Sequence, residues 1–231
     1  MNRALQVVRI QTFTAQNGLT WPWVILATAF VINVALFSVI GDDIPGGPKT
    51  GALASIYLTA AAVGAVLVHQ HLPFMLGFGV TRRTFFTATT VLTAAWSLGS
   101  GVVLYLLALI ERATDGWGIR MSFFDLPFLA RDNPPLQIIE YAVTLLALVF
   151  CGFTLGAIIL RFGATGFWIF TVAAIVALGA AAILITWQRW WGALIGFFAD
   201  QPTAVLLTVW PVAIAAVAAA GSWLIIRRVT P

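Results

Sequence analysis

The chain has 231 residues, 61% hydrophobic and only 9% charged, with a formal net charge of +4. Soluble domains carry about 25% charged residues, so the composition excludes an ordinary soluble fold and leaves no room for a soluble catalytic domain. The pI near 10.0 does not mark a nucleic-acid partner, because the basic residues are distributed as membrane-topology signals.

A helix needs about 20 apolar residues to cross a hydrocarbon core of about 30 Å. Six such stretches divide the sequence, and the charges sort with them. Asp42, Asp43, Glu111, Asp115, Asp125, Asp132, Glu140 and Asp200 all fall on one set of connections, with Lys49, Arg112, Arg120, Arg131 and Arg189. The other set and both chain ends carry Arg3, Arg9, Arg82, Arg83, Arg161, Arg227 and Arg228 and no carboxylate. Basic residues are retained on the cytoplasmic side. The expectation is therefore an all-α membrane protein, one domain over 1–231, with six spans and both termini cytoplasmic. Eleven arginines against one lysine, with abundant alanine, suit a bacterial inner-membrane protein from a high-GC genome.

In chain order, residues 2–18 are too polar to span. Leu5, Val8 and Phe13, with Ala4, Val7 and Ile10, oppose Arg3, Gln6, Arg9 and Gln16. That stripe predicts an amphipathic helix on the inner membrane surface, the alternative being an unstructured leader. No continuous apolar run precedes Trp21, so no cleavable signal peptide is expected. The first span covers about 21–40 and ends in the turn-rich Gly41–Pro48 loop. The second covers about 51–68, and an inner segment over 69–83 follows. The third runs over about 84–110, and an outer segment over 111–135 holds Met121–Leu129 as a surface cap or lipid-facing turn. The fourth and fifth spans cover about 138–160 and 167–187. Trp190, Trp191, Leu194, Ile195, Phe197 and Phe198 then recur at helical spacing over 188–200. This is too short to cross and predicts an outer interfacial or re-entrant helix. The last span covers about 204–226, bends at Pro211 and ends at Arg227-Arg228.

Most catalytic signatures are missing. The sequence has no phosphate loop, no His-Glu-x-x-His and no Gly-x-Ser-x-Gly, and Gly77-Phe78-Gly79 lacks the rest of a dinucleotide fingerprint. His69 and His71, two apart on a helix, make a poor metal pair and mark the inner exit of the second span. Cys151 is the lone cysteine, so no intramolecular disulfide can form. Asn33 is the mid-span amide of the first helix, placed either for helix packing or on a substrate path. Glu140 is expected as a solvated cap at the outer end of the fourth span. Gly152-x-x-x-Gly156 permits close helix contact. No carboxylate or lysine lies mid-membrane, which argues against ion-coupled transport.

The inner segment reads His69-Gln-His-Leu-Pro-Phe-Met-Leu-Gly-Phe-Gly-Val-Thr-Arg-Arg-Thr-Phe-Phe86. Pro73 and the glycines predict a break into a short amphipathic piece, and Thr81 is placed to cap the third span. Gly79, Thr81, Arg82, Arg83 and Phe85 here resemble the Leu-Gly-x-Ser/Thr-Arg-Arg-x-Phe loop in permease subunits of type-two-class bacterial ABC exporters, the drug- and antibiotic-export group. The layout of surface helix, six spans and aromatic outer segment is similar over the whole chain. The resemblance implies that this chain is not itself an enzyme and binds no cofactor or metal. ATP and magnesium would be held by separate ABC-type ATPase subunits. A second permease, identical or related, would pair with this one in the membrane lipid. His71, Leu72, Pro73, Phe74, Leu76, Phe78, Gly79, Val80 and Thr81 would form the docking segment, with Leu76 and Phe78 on the docking face. Arg82 and Arg83 would be its anchors. By layout, the first, second and fifth spans would face the path, with Asn33, Phe37, Tyr57 and Thr171 as candidate lining residues. An apolar path suits an amphipathic or lipid-like substrate. The competing expectation is a non-transporting membrane subunit that acts as a sensor or assembly partner.

Overall fold

The apolar stretches form helices because, away from water, a helix satisfies every backbone N–H and C=O within its own segment. The structure, a computed structural model, describes residues 3–40, 47–126, 131 and 133–229, with side chains described from Gly18 onward. The α-helices are α1 (Arg3–Ile40), α2 (Ala54–Val66), α3 (Leu72–Gly77), α4 (Arg82–Ala113), α5 (Pro134–Trp187), α6 (Trp191–Ala199) and α7 (Thr203–Ile226). A wider, π-type turn over Leu67–His71 joins α2 to α3. Among the described residues there is no strand, only an isolated bridge between Lys49 and Ser122. Among the described residues, five helical stretches are long and apolar enough to cross a membrane.

The fourth of these is α5, whose 54 residues would measure about 80 Å as straight helix, far more than a hydrocarbon core of about 30 Å. It is not continuous. Gly163 adopts φ 69° and ψ −173°, a backbone conformation essentially confined to glycine, and it separates two helical arms.

The N-terminal segment differs from expectation. It is helical, but it runs without interruption into the first apolar stretch to form the 38-residue α1, with Pro22 inside it. No separate surface helix is present over 3–18. The expected polar and apolar faces of residues 3–17 lie outside the described side chains, as do Asp42, Asp43 and Asp132 and the Pro127–Leu129 part of the outer cap.

The first arm of α5 is the hub of the bundle, packing against α2, α4 and α7. Close approach explains its glycines. A Cβ on Gly152 or Gly156 would collide with the backbone of Ala61 or Ala65 in α2, and one on Gly64 would collide with Val149. The Gly152-x-x-x-Gly156 pattern thus serves contact within the chain, where small residues let two helices gain van der Waals contact without a hydrophobic driving force. Ile56, Phe85, Leu104, Leu145 and Phe153 fill the remaining space and are almost wholly inaccessible. The second arm of α5 and the whole of α6 are different: Trp168, Ile175, Leu178, Ile183, Trp187 and Ile195 are all exposed.

Candidate functional site

The connection between α2 and α4 is built in three steps. Pro73 stands in the first turn of α3, where its missing N–H would have had no helical partner. The helix closes through Phe78 N–H to Met75 O (3.1 Å), Gly79 N–H to Leu76 O (2.9 Å) and Val80 N–H to Met75 O (3.2 Å). Gly79, at φ 77°, supplies the left-handed residue that ends such helices. Thr81 is extended, and its Oγ1 accepts from Thr84 N–H at 3.2 Å, the N-cap of α4.

Burial divides this segment into an anchored face and a free one. Leu72 and Met75 are in the core, and Leu76 and Val80 pack against it. Phe74 and Phe78 point away, 56% and 72% exposed, with ring centroids 4.8 Å apart in edge contact. His69, Gln70, Pro73, Gly77, Gly79, Thr81 and Arg83 are exposed beside them, while His71 and Arg82 are half-buried. Phe74 therefore joins Phe78 on the outward face, and Leu76, expected there, is turned toward the core. The signal was the spacing: positions 74 and 78 are one turn apart, and 72, 75 and 76 form the opposite face.

The opposite, acid-bearing end holds a network that periodicity did not reveal. Glu111, only 3% exposed, accepts four N–H bonds. Its Oε1 takes Phe123 N–H and Asp125 N–H, each at 2.9 Å, and its Oε2 takes Phe124 N–H at 3.0 Å and the Trp117 indole at 2.9 Å. Arg112 grips Asp125 with Nε at 2.8 Å and Nη2 at 2.6 Å and also reaches Gln137 at 3.2 Å. Gln137 donates to the Tyr141 hydroxyl, which donates to Phe124 O at 2.9 Å. Phe30 of α1 meets Trp117, Phe123 and Phe124. The 121–126 stretch is thus a buried plug over the bundle end rather than a lipid-facing turn. Ser122 N–H to Pro48 O (2.9 Å) ties it to the neighbouring loop.

Glu140 also departs from expectation. Its side chain is wholly buried, and its Oε1 accepts from Arg131 Nε at 3.0 Å. Arg131, in the chain that leads into α5, pairs with it, so Glu140 is not the solvated cap of an open helix end.

The four candidate path residues lie on α1, α2 and the second arm of α5. Asn33 Nδ2 donates to Ala29 O of its own helix at 2.8 Å. Phe37 and Tyr57 pack on the core from α1 and α2, which contact each other. Thr171 bonds back to Phe167 O on the second arm of α5. Phe170 of that arm, Cys151 of the first arm and Trp210, Ile214 and Val217 of α7 line an apolar cavity of about 610 Å³. Among the described residues no cluster of three or more His, Cys, Asp or Glu is placed to hold a metal. Compared with known proteins, the chain matches no family model, no curated protein and no solved structure.

Proposed function

We propose that the chain is the membrane-spanning permease subunit of an ATP-driven bacterial exporter of amphipathic or lipid-like molecules. The observation that carries this is the α3 segment. It is short, pinned at one face by Leu72, Met75 and Leu76, closed at its end by the Gly79 and Thr81 caps, and it presents Phe74 and Phe78 outward. A rigid aromatic knob between two long helices is suited to filling a cleft on a partner and passing its movement to α2 and α4. Nothing in the chain's own chemistry supplies energy, so uphill transport would draw on separate ATPase subunits holding ATP and magnesium.

In this proposal α5 crosses the membrane twice, turning at Gly163, so that the chain makes six crossings with both termini and Arg82-Arg83 on the cytoplasmic side of the inner membrane. The segregation of seven arginines from eight acids supports that orientation. Helix α6 lies at or re-enters the outer face, supported by Trp190, Trp191 and Phe197 at headgroup level. A second permease copy covers part of the exposed apolar surface of α1 and of the arm after Gly163. The apolar cavity beside Phe170 and Trp210 supports a lipid-like substrate class.

The test is the double variant Phe74→Asp and Phe78→Asp. Each lost anchor should weaken ATPase association by about 2 kcal/mol, roughly 30-fold. The expected result is an inserted, monodisperse protein that no longer copurifies with an ATPase or stimulates its hydrolysis. Unchanged association together with unchanged export would remove α3 from energy coupling.

A further inference from the structure

The arginine-rich end of the bundle contains a second feature, between the start of α4 and the end of α7. Arg83, Phe86 and Thr87 of α4 and Trp223 of α7 line a cavity of about 390 Å³. The Phe86 and Trp223 rings are 5.3 Å apart and tilted by 44°, forming its apolar wall. Thr87 Oγ1 donates to Arg83 O at 2.9 Å, leaving the exposed Arg83 guanidinium as the charged group of the lining. One turn past Trp223, α7 ends at Arg227, whose N–H bonds Trp223 O at 3.0 Å, followed by Arg228.

Among the described residues these cations meet no counter-charge. Arg83, Arg227 and Arg228 are exposed and make no ion pair with any described residue, and Arg82 Nε is buried without a hydrogen-bond partner. The sequence contains no carboxylate between Asp43 and Glu111 and none after Asp200. An aromatic-walled cavity bearing the Arg83 guanidinium, with Arg227 and Arg228 one turn beyond its Trp223 wall, calls for an anion that also has apolar parts.

We propose that this cavity binds the headgroup of an anionic phospholipid from the leaflet at the arginine-bearing end. The planar donor forks of Arg83 and Arg227 suit phosphate oxygens. Phe86 and Trp223 face the glycerol and upper acyl region, the level at which tryptophan is favoured. Basic pockets between membrane helices select such headgroups in this way. The inference rests neither on the export proposal nor on which side of the membrane this end faces.

An ordinary topology anchor would attract anionic lipid without a site, and Arg161 provides the control. It is an arginine of the same charge set, and its guanidinium lies over the Phe162 ring at 4.9 Å. The experiment is native mass spectrometry of the purified chain, without ATPase, exchanged with phosphatidylglycerol or phosphatidylcholine of matched acyl chains. Phosphatidylglycerol should be retained preferentially. Arg83→Gln and Arg227→Gln should each lower its retention about fivefold, the equivalent of about 1 kcal/mol per cation. Trp223→Ala should lower it as well, and Arg161→Gln should leave it unchanged. Because Arg83 and Arg227 are exposed, both glutamine variants should melt like the parent protein, which separates lost binding from lost folding. Equal retention of the two lipids, an equal effect of Arg161→Gln, or displacement by inorganic phosphate alone would each overturn a lipid site here.

Discussion

Replacing Glu111 by alanine removes the acceptor that organises the plug at the acid-bearing end. Four donors lose their partner together: the amides of Phe123, Phe124 and Asp125 and the Trp117 indole. Each buried donor left unpaired costs about 1–3 kcal/mol. The neighbouring cavity of about 330 Å³, lined by Glu111, Arg112, Asp115, Ser122 and Asp125, admits water that can rehydrate some of them. The full sum is therefore not reached, and a loss of about 3–5 kcal/mol is expected. For a chain of this size that corresponds to a melting temperature lower by about 6–20 °C. Glu111→Gln should cost less, about 2 kcal/mol, because one oxygen keeps its two amides while the new NH₂ faces two other donors. The assay is thermal unfolding in detergent, followed by tryptophan fluorescence. Thiol labelling of Leu126→Cys, a buried plug residue outside that cavity, in a Cys151→Ala background would report the plug itself. If Glu111→Ala melts within about 1 °C of the parent and residue 126 stays protected, the aromatic contacts with Phe30 hold the plug and the carboxylate does not.

Other perturbations test the rest of the framework. Gly163→Ala forces a side chain onto φ 69°, ψ −173° and should destabilise the chain by about 1–3 kcal/mol; Gly192→Ala, with open space at its Cβ, should be nearly silent in the same melt. Gly152→Ala drives a methyl into the Ala61 backbone and should cost about 1–3 kcal/mol or more by separating α2 from α5. For orientation, Lys49→Cys and Ala199→Cys in the Cys151→Ala background should react with an impermeant thiol reagent on intact cells, and Gln70→Cys should not. Labelling at position 70 would reverse the topology.

The elements whose cause is local were legible from residue order. Helix α3 ends where Gly79 interrupts the apolar pattern, and Thr81 caps α4 through a bond within its own turn, because capping depends on a few consecutive residues. At Pro73, where a break was expected, the helix instead continues from Ala54 to Gly77, with a π-type turn over Leu67–His71. The membrane character followed from apolar length and charge alone. The burial of Glu140 is not legible in the sequence, because exposure at a helix end depends on whatever folds over it, here the chain carrying Arg131. Leu76 was placed outward because a short segment flanked by glycines offers too little period to orient its faces.

Tertiary structure alone decided the long-range partners. Nothing in the order of residues joins Glu111 to the amides of 123–125, or Phe30 of α1 to that same plug. The two small residues at 152 and 156 signalled a helix contact, and only the fold assigned it to Ala61 and Ala65 of α2. The same holds for the cavity between Arg83 and Trp223, whose lining residues lie far apart in the chain. The physical reason is common to all of them. Helix formation and capping are set by neighbours within about one turn, whereas the partner of a buried charge, glycine or aromatic ring is set by how helices pack across the bundle.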